Sequence, residues 1–133
     1  MSVYKLENED GLVYIGATKN SLNKRLNNHK SYARTNKVNC RSVLLFENEK
    51  KVTISLLEEV DDLKDLNVRE RYHIENTECV NYHIPTRTPT EWRNDNIDII
   101  KPKQNEYSKK YYLENKERIL KRMKDKYNNN KCL

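Results

Sequence analysis

Five side chains in residues 1–70 of this chain are of types that do chemistry: Tyr4, Tyr14, Arg25, His29 and Glu70. Two phenols, a guanidinium, an imidazole and a carboxylate can between them move a proton, neutralise a phosphate and hold a cation. Tyr4 stands in Ser2-Val3-Tyr4 and Tyr14 in Tyr14-Ile15-Gly16, on either side of a turn. Arg25 follows eleven residues after Tyr14, and His29 one helical turn later. In a basic protein this grouping points to chemistry on a phosphate.

The elements that must position these groups follow from pattern. Val3 to Leu6 and Leu12 to Ile15 read as strands, joined through Asn8-Glu9-Asp10-Gly11, where Asp-Gly is a hairpin-turn signal. The chain has only two glycines, Gly11 and Gly16. The first serves the turn. The second, directly after Ile15, permits a sharp bend, a close ligand approach or a plain strand exit. Ser21 is placed to cap a helix running to about Ala33, with Leu22, Leu26 and Ala33 as its apolar stripe. His29 falls inside that stripe and Arg25 on its edge. A histidine there is commonly a satisfied core residue, but two inward cationic or proton-carrying groups call for an anionic partner.

Arg41 to about Glu49 reads as a short helix, and Val52 to Leu57 as a third strand from its alternation of Val52, Ile54 and Leu56. Leu63 to about Asn76 reads as a second long helix with the stripe Leu63, Leu66 and Ile74. Glu70 lies within about 20° of the centre of that stripe. An ionised carboxylate there is costly unless it is paired, with Arg25 or Arg69 as candidates, or binds a metal.

The compact domain is expected to end near residue 85, giving domains 1–85 and 86–133. Thr88-Pro89-Thr90-Glu91 has the layout of a capping box with proline at the first helical position. A 19-residue repeat follows in two imperfect copies, Trp92/Asp95/Asn96/Asp98/Ile100 and Tyr111/Glu114/Asn115/Glu117/Ile119, read as two successive helical arms. Tyr112, Ile119, Met123 and Tyr127 give the second arm a stripe that could dock on the body, pair with another copy or order on DNA. Asn128-Asn129-Asn130 is expected to fray.

At 133 residues there is room for one ordinary domain and some additional chain. Apolar and charged residues each make up 35%, so the core must be small. No apolar run is long enough to span a membrane, and the N-terminus lacks the layout of a signal peptide. Three cysteines, Cys40, Cys79 and Cys132, have no metal-ligand spacing; a reduced, intracellular protein of cytoplasm or nucleus is expected. The net charge of +6 is concentrated: residues 101–133 hold 11 Lys/Arg against four acids, while residues 1–100 hold 15 against 16. A nearly neutral body with a basic tail points to a polyanion, most often nucleic acid.

In order and approximate spacing, Val3-Tyr4, Tyr14-Ile15-Gly16, Arg25, His29, Glu70 and Asn81 resemble the GIY-YIG nuclease family over roughly residues 2–85. The stretch from Ile84-Pro85 through the Asn-rich, Lys- and Tyr-bearing arms is similar to members from large DNA viruses and phages. Ser2-Val3-Tyr4 departs from the Gly-Ile-Tyr lettering. The lysine that members often place shortly after Tyr-Ile-Gly has only Lys19 as its nearest candidate.

The resemblance implies an α+β fold: a small three-stranded antiparallel sheet flanked by helices, with the site on the sheet face, followed here by a basic helical C-terminal extension. It implies phosphodiester hydrolysis with one divalent ion, Mg2+ or Mn2+. Tyr4 would be the base or would activate it, its phenol made more acidic by a metal and cations. His29 would take or hold its proton, and Arg25 would bind the scissile phosphate. Glu70 would be the only protein carboxylate on the ion. Tyr14 would hydrogen-bond the phosphate or attacking water, and Asn81 would fix the loop beside Glu70. Lys19, Lys24, Lys109, Lys110, Lys116, Arg118, Lys121 and Arg122 are the expected DNA contacts. A double-strand break would need a dimer or re-docking. The readings to be separated are an active DNA endonuclease, homing-type or virus-encoded; a catalytically silent nucleic-acid-binding module; and an interaction protein whose tail pairs as a helix.

Overall fold

The structure, a computed structural model, describes residues 1–131; Cys132 and Leu133, and with them the expected third reduced thiol, lie outside the described residues. Two units are present: Met1–Arg87, and a second beginning at Thr88.

The first unit is built on a three-stranded antiparallel sheet, β1 (Ser2–Asn8), β2 (Val13–Thr18) and β3 (Val52–Glu59), in the order β2-β1-β3. β1 is central and is covered on both faces, so Val3, Tyr4 and Leu6 have no exposure at all. On one face Val3 and Ile15 pack with Val60, Leu66 and Ile74. On the other, Tyr4 and Leu6 pack with Leu45 and Val52, bordered by Tyr14, Leu22 and Leu26. Each fully buried side chain of this size stabilises the fold by about 1.5–3 kcal/mol. Helix α1 (Leu22–Thr35) supplies Leu22 and Leu26 to the second face, and helix α2 (Leu63–Glu75) supplies Leu66 and Ile74 to the first.

The hairpin turn holds more than Asp-Gly. Gly11 takes φ +81°, and the buried Asn8 side chain accepts hydrogen bonds from the backbone N–H groups of Asp10 and Leu12 at 3.0 and 2.9 Å. The strands run longer than the alternation suggests. β2 continues to Thr18, so Gly16 is not a strand exit; it pairs across the ladder with Tyr4. Arg41–Glu49 is a 3₁₀ segment, broken at Glu47 and at Asn48, where φ is 58°. Ser42 and Leu45 are its buried residues. In α2 the expected stripe is shorter than foreseen: Leu63, in the first turn, is 50% exposed.

Beyond Thr88 the expected capping box is present: the Thr88 hydroxyl accepts from Glu91 N–H at 3.2 Å and the Glu91 carboxylate from Thr88 N–H at 2.7 Å. It opens α3 (Pro89–Asp95). The two repeat copies are not two equivalent arms. The first straddles the end of α3, whereas the second lies inside α4, one continuous 35-residue helix (Ile97–Lys131). Both repeat asparagines make the same local bond, Asn96 to the carbonyl of Trp92 and Asn115 to that of Tyr111, but only Asn96 ends a helix. Asn128-Asn129-Asn130 is helical rather than frayed, because α4 runs on to Lys131. The apolar stripe of the second arm is left largely uncovered: Tyr112, Met123 and Tyr127 are exposed, and α4 buries no residue. Among the described residues no helix is long and apolar enough to cross a membrane.

Candidate active site

The site begins with a contact between the two tyrosine motifs. Tyr4 and Gly16 face each other across β1 and β2, and the Tyr4 ring lies where a side chain at position 16 would be. A Cβ built on Gly16 would stand 2.6 Å from Tyr4 Cζ, far inside van der Waals contact. The close approach anticipated at this glycine is therefore made by Tyr4 itself.

With its ring so placed, the Tyr4 hydroxyl meets α1. Arg25 and His29 are four residues apart on one side of that helix. Arg25 Nε donates to Tyr4 Oη at 2.8 Å, and His29 Nε2 lies 2.7 Å from the same oxygen. His29 has no exposure, and its other ring nitrogen, Nδ1, is 2.7 Å from the hydroxyl of Ser42, which is equally buried. Ser42 Oγ is 3.1 Å from Cys40 Sγ, and the Cys40 thiol donates to Tyr14 Oη at 3.8 Å. The rings of Tyr14 and His29 meet edge to face, 5.4 Å between centroids. The two phenols thus sit at the ends of one chain of polar contacts. No buried side-chain nitrogen or oxygen among the described residues lacks a partner, as burial requires.

Tyr14 opens onto a cavity of about 360 Å3, lined also by Asn39, Cys40, Arg41, Glu70, Asn81, Tyr82 and His83. Glu70 reaches it from α2, flanked along one helix face by Leu66 and Ile74. The cavity therefore draws on elements from both sides of the sheet, beside edge strand β2. Tyr4, Arg25 and His29 are not among its lining residues; they stand behind Tyr14 and Cys40.

The charges follow from this layering. Burial pushes the Tyr4 phenol up to about 12, against the opposing pull of the Arg25 guanidinium. In the protein alone, without the metal that the expected acidity of Tyr4 invokes, desolvation of the phenolate outweighs one nearby cation. Burial raises Tyr14 further, and the neighbouring Cys40 and Tyr4 add to it. His29 is pushed down to about 4 by burial and then by Arg25, so the imidazole is neutral at pH 7. Glu70 is raised by burial and partly restored by Arg25.

The pairings foreseen for Glu70 are absent. Arg69 turns instead to Glu58, which it meets at 2.9 Å and which His73 also contacts at 2.9 Å. Among the described residues the Glu70 carboxylate accepts no hydrogen bond and forms no ion pair. A half-buried carboxylate facing an open cavity in this condition suits a divalent cation. It is the only acid lining the cavity, and no three His, Cys, Asp or Glu side chains cluster anywhere in the described residues. Mg2+ accepts one carboxylate and completes its shell with water and phosphate oxygens, so the donor set fits that ion.

Asn81 is held structurally: its Oδ1 accepts from Ile15 N–H at 2.9 Å and its Nδ2 donates to Ile15 C=O at 2.7 Å. Lys19 and Lys24 are exposed and outside the cavity. Lys109, Lys110, Lys116, Arg118, Lys121 and Arg122 are all exposed on α4. Nothing in the sequence marks Ser42, or gives Cys40 a place in the site. A serine opening the apolar run Val43-Leu44-Leu45-Phe46 looks like a helix cap, and nothing local reveals that its partner is His29. Arg41, whose guanidinium lies 5.8 Å from the centroid of the Tyr82 ring, and His83 were likewise not singled out.

No curated protein and no solved structure matches the chain. A family model, described as the GIY-YIG catalytic domain, matches residues 1–83, which take in the whole sheet, α1, α2 and Asn81. Members of that family are nucleases, and they usually use a divalent metal. This chain, with its paired tyrosine strands and the arginine, histidine and glutamate that gather behind and beside them, belongs to the GIY-YIG nuclease family.

Proposed function

We propose that the protein is a DNA endonuclease, homing-type or virus-encoded, that hydrolyses phosphodiester bonds with one Mg2+ or Mn2+ per site. Residues 1–85 form its nuclease domain and residues 86–133 its DNA-binding extension. The observation that carries the reading is Glu70: a half-buried carboxylate without a hydrogen bond among the described residues, facing the cavity beside Tyr14.

Glu70 would hold the ion. When bound, the ion would supply positive charge to the phosphate oxygens as a Lewis acid. Tyr14, kept as a phenol by its burial, donates a hydrogen bond to the phosphate or the attacking water from the cavity wall. Arg25 spends Nε on Tyr4, and its terminal nitrogens, without a hydrogen bond among the described residues, supply charge toward the phosphate. Tyr4 has no exposure and so acts on the water through its neighbours rather than by contact; its proton is received by His29 Nε2. Asn81 keeps β2 in place through both polar groups of Ile15. The basic side chains of α4 contact phosphates along the duplex without reading sequence.

A plasmid-nicking assay with and without divalent metal, on wild type and Glu70→Ala, tests this. Metal-dependent nicking that Glu70→Ala abolishes is expected. Nicking unchanged by Glu70→Ala overturns the mechanism, and DNA binding without nicking under any divalent metal identifies a silent binding module. Double-strand cutting that rises with the square of protein concentration would assign it to a dimer.

A further inference from the structure

The hydrogen-bond chain behind the cavity has one arrangement of protons that leaves no hydroxyl without an acceptor. Arg25 has no lone pair to offer, so at Tyr4 Oη it can only donate. The Tyr4 hydroxyl proton must then go to the other atom in reach, His29 Nε2 at 2.7 Å. A neutral imidazole that accepts at Nε2 carries its proton on Nδ1, which donates to Ser42 Oγ at 2.7 Å. The Ser42 proton then points to Cys40 Sγ at 3.1 Å, and the Cys40 thiol to Tyr14 Oη at 3.8 Å. Every link runs from the buried phenol toward the cavity, and the Tyr14 proton is left facing the cavity.

We propose that Ser42 and Cys40 are positioning residues that receive the Nδ1–H of His29, whose tautomer Tyr4 sets, and connect Tyr4 to Tyr14 as a directed proton path. The proposal rests on the nuclease reading above and adds to it a route by which the leaving oxygen is protonated. Tyr14 Oη gives its proton to the leaving alkoxide oxygen of the phosphodiester. It regains one from Cys40 Sγ, Cys40 from Ser42 Oγ, Ser42 from His29 Nδ1, and His29 Nε2 takes the proton of Tyr4. Each intermediate group loses one proton and gains one. The net change is one O–H bond broken at Tyr4 and one formed on the alkoxide, with the electron pair and negative charge left on Tyr4 Oη against Arg25 Nε.

His29 is suited to conduct and not to store. An imidazolium at that position would be a buried charge beside Arg25, whereas taking a proton at one nitrogen as the other is released keeps the ring neutral throughout. Arg25 meets Tyr4 and not Tyr14, so the charge comes to rest on the phenol that has a cation.

The test reads the tautomer directly. Long-range 1H–15N correlation spectra of the full-length, substrate-free protein, with His29 identified by its loss in His29→Gln, are expected to show a neutral ring protonated at Nδ1. A ring protonated at Nε2 overturns the proposal, and wild type alone gives this answer. Ser42→Ala, which takes away the acceptor of Nδ1–H and the next link of the path, is expected to shift the His29 Nδ1 resonance and slow nicking about tenfold or more, within the range of proton-transfer catalysis. Ser42→Thr is expected to restore both the spectrum and the rate. Cys40→Ser, which keeps a donor and acceptor, should nick faster than Cys40→Ala. Ser42→Ala with an unchanged spectrum and unchanged nicking overturns the proposal. So does Ser42→Thr behaving like Ser42→Ala while folding normally. If wild type nicks no DNA, the nuclease reading fails, and the wild-type spectrum still decides the tautomer.

Discussion

The two units of this chain put polar groups to opposite uses. In Met1–Arg87 they are taken out of water: Tyr4, His29 and Ser42 have no exposure, and Glu70 is half buried. In α4 no residue is buried and the cations stand in solvent. The first unit is nearly neutral, with 14 Lys/Arg against 13 Asp/Glu, whereas from Thr88 onward there are 12 against seven. The difference teaches where each kind of work can be done. Proton transfer needs a few groups at fixed distances in a low-dielectric setting, where misplacing one breaks the chain. Holding a polyanion needs many interchangeable charges in water, where losing one is a small loss.

That contrast can be broken or sharpened by substitution. The largest effect expected is on chemistry: Glu70→Ala should lower nicking by at least about a hundredfold while leaving DNA affinity within about twofold, since a bound cation and its charge would be lost but the α4 contacts kept. A parallel fall in both would mean that the two units are not separable in function. Nearly as large is the acid sensitivity set by His29. Its pKa is near 4 folded and 6.5 unfolded, so the unfolded chain binds more protons in between. Stability is present above pH 6.5 and is lost as pH falls toward 4, by about 3 kcal/mol. Glu58, held low by His73 and Arg69, adds loss of the same sign, and Glu70, held high by burial, works the other way. Denaturant titrations at several pH values read the total, and His29→Gln should flatten the slope.

Gly16→Ala comes next, with about 1–3 kcal/mol of destabilisation from overpacking against the Tyr4 ring, measured as a shift in denaturant midpoint. In the other unit the effects should be spread thin. Replacing Lys109, Lys110, Lys116, Arg118, Lys121 and Arg122 together by Gln is expected to flatten the log–log salt dependence of DNA binding by up to about five, with nicking at saturating protein intact. An unchanged slope would take α4 out of DNA binding. Smallest of all, Leu113→Ser, at a residue 72% exposed, should change stability by less than about 0.5 kcal/mol; a larger loss would show that something covers this helix.

What could be read from the sequence divides along the same line. Periodicity placed Glu70 between Leu66 and Ile74 and His29 on the inner face of α1, because local helix geometry fixes both. The capping box at Thr88 and the cap at Ser21 were legible for the same reason, being bonds between near neighbours. Ser42 and Cys40 were not, because their roles come from a partner 13 or 26 residues away, and distance along the chain carries no periodic signal. The burial of the Tyr4 ring was not legible either: nearby cations can be counted in the sequence, whereas desolvation depends on what the fold packs around the ring. In the tail, repetition of residue types suggested two arms, but helix continuity depends on what lies between the copies. Ile100 through Tyr111 holds no glycine, and the helix runs on through Pro102, which forgoes one interior N–H bond, to the Asp98 carbonyl, without ending it.

One feature of the hairpin has an evolutionary consequence. Because the Tyr4 ring fills the place of a side chain at position 16, the two positions share one volume. A larger residue at 16 costs stability for as long as the ring at 4 is present, and a chain that has lost the ring no longer needs the glycine. The order of loss is thereby biased. A descendant drifting away from catalysis should surrender its tyrosine first, and a tyrosine at 4 beside any residue but glycine at 16 should be a combination that selection rarely keeps.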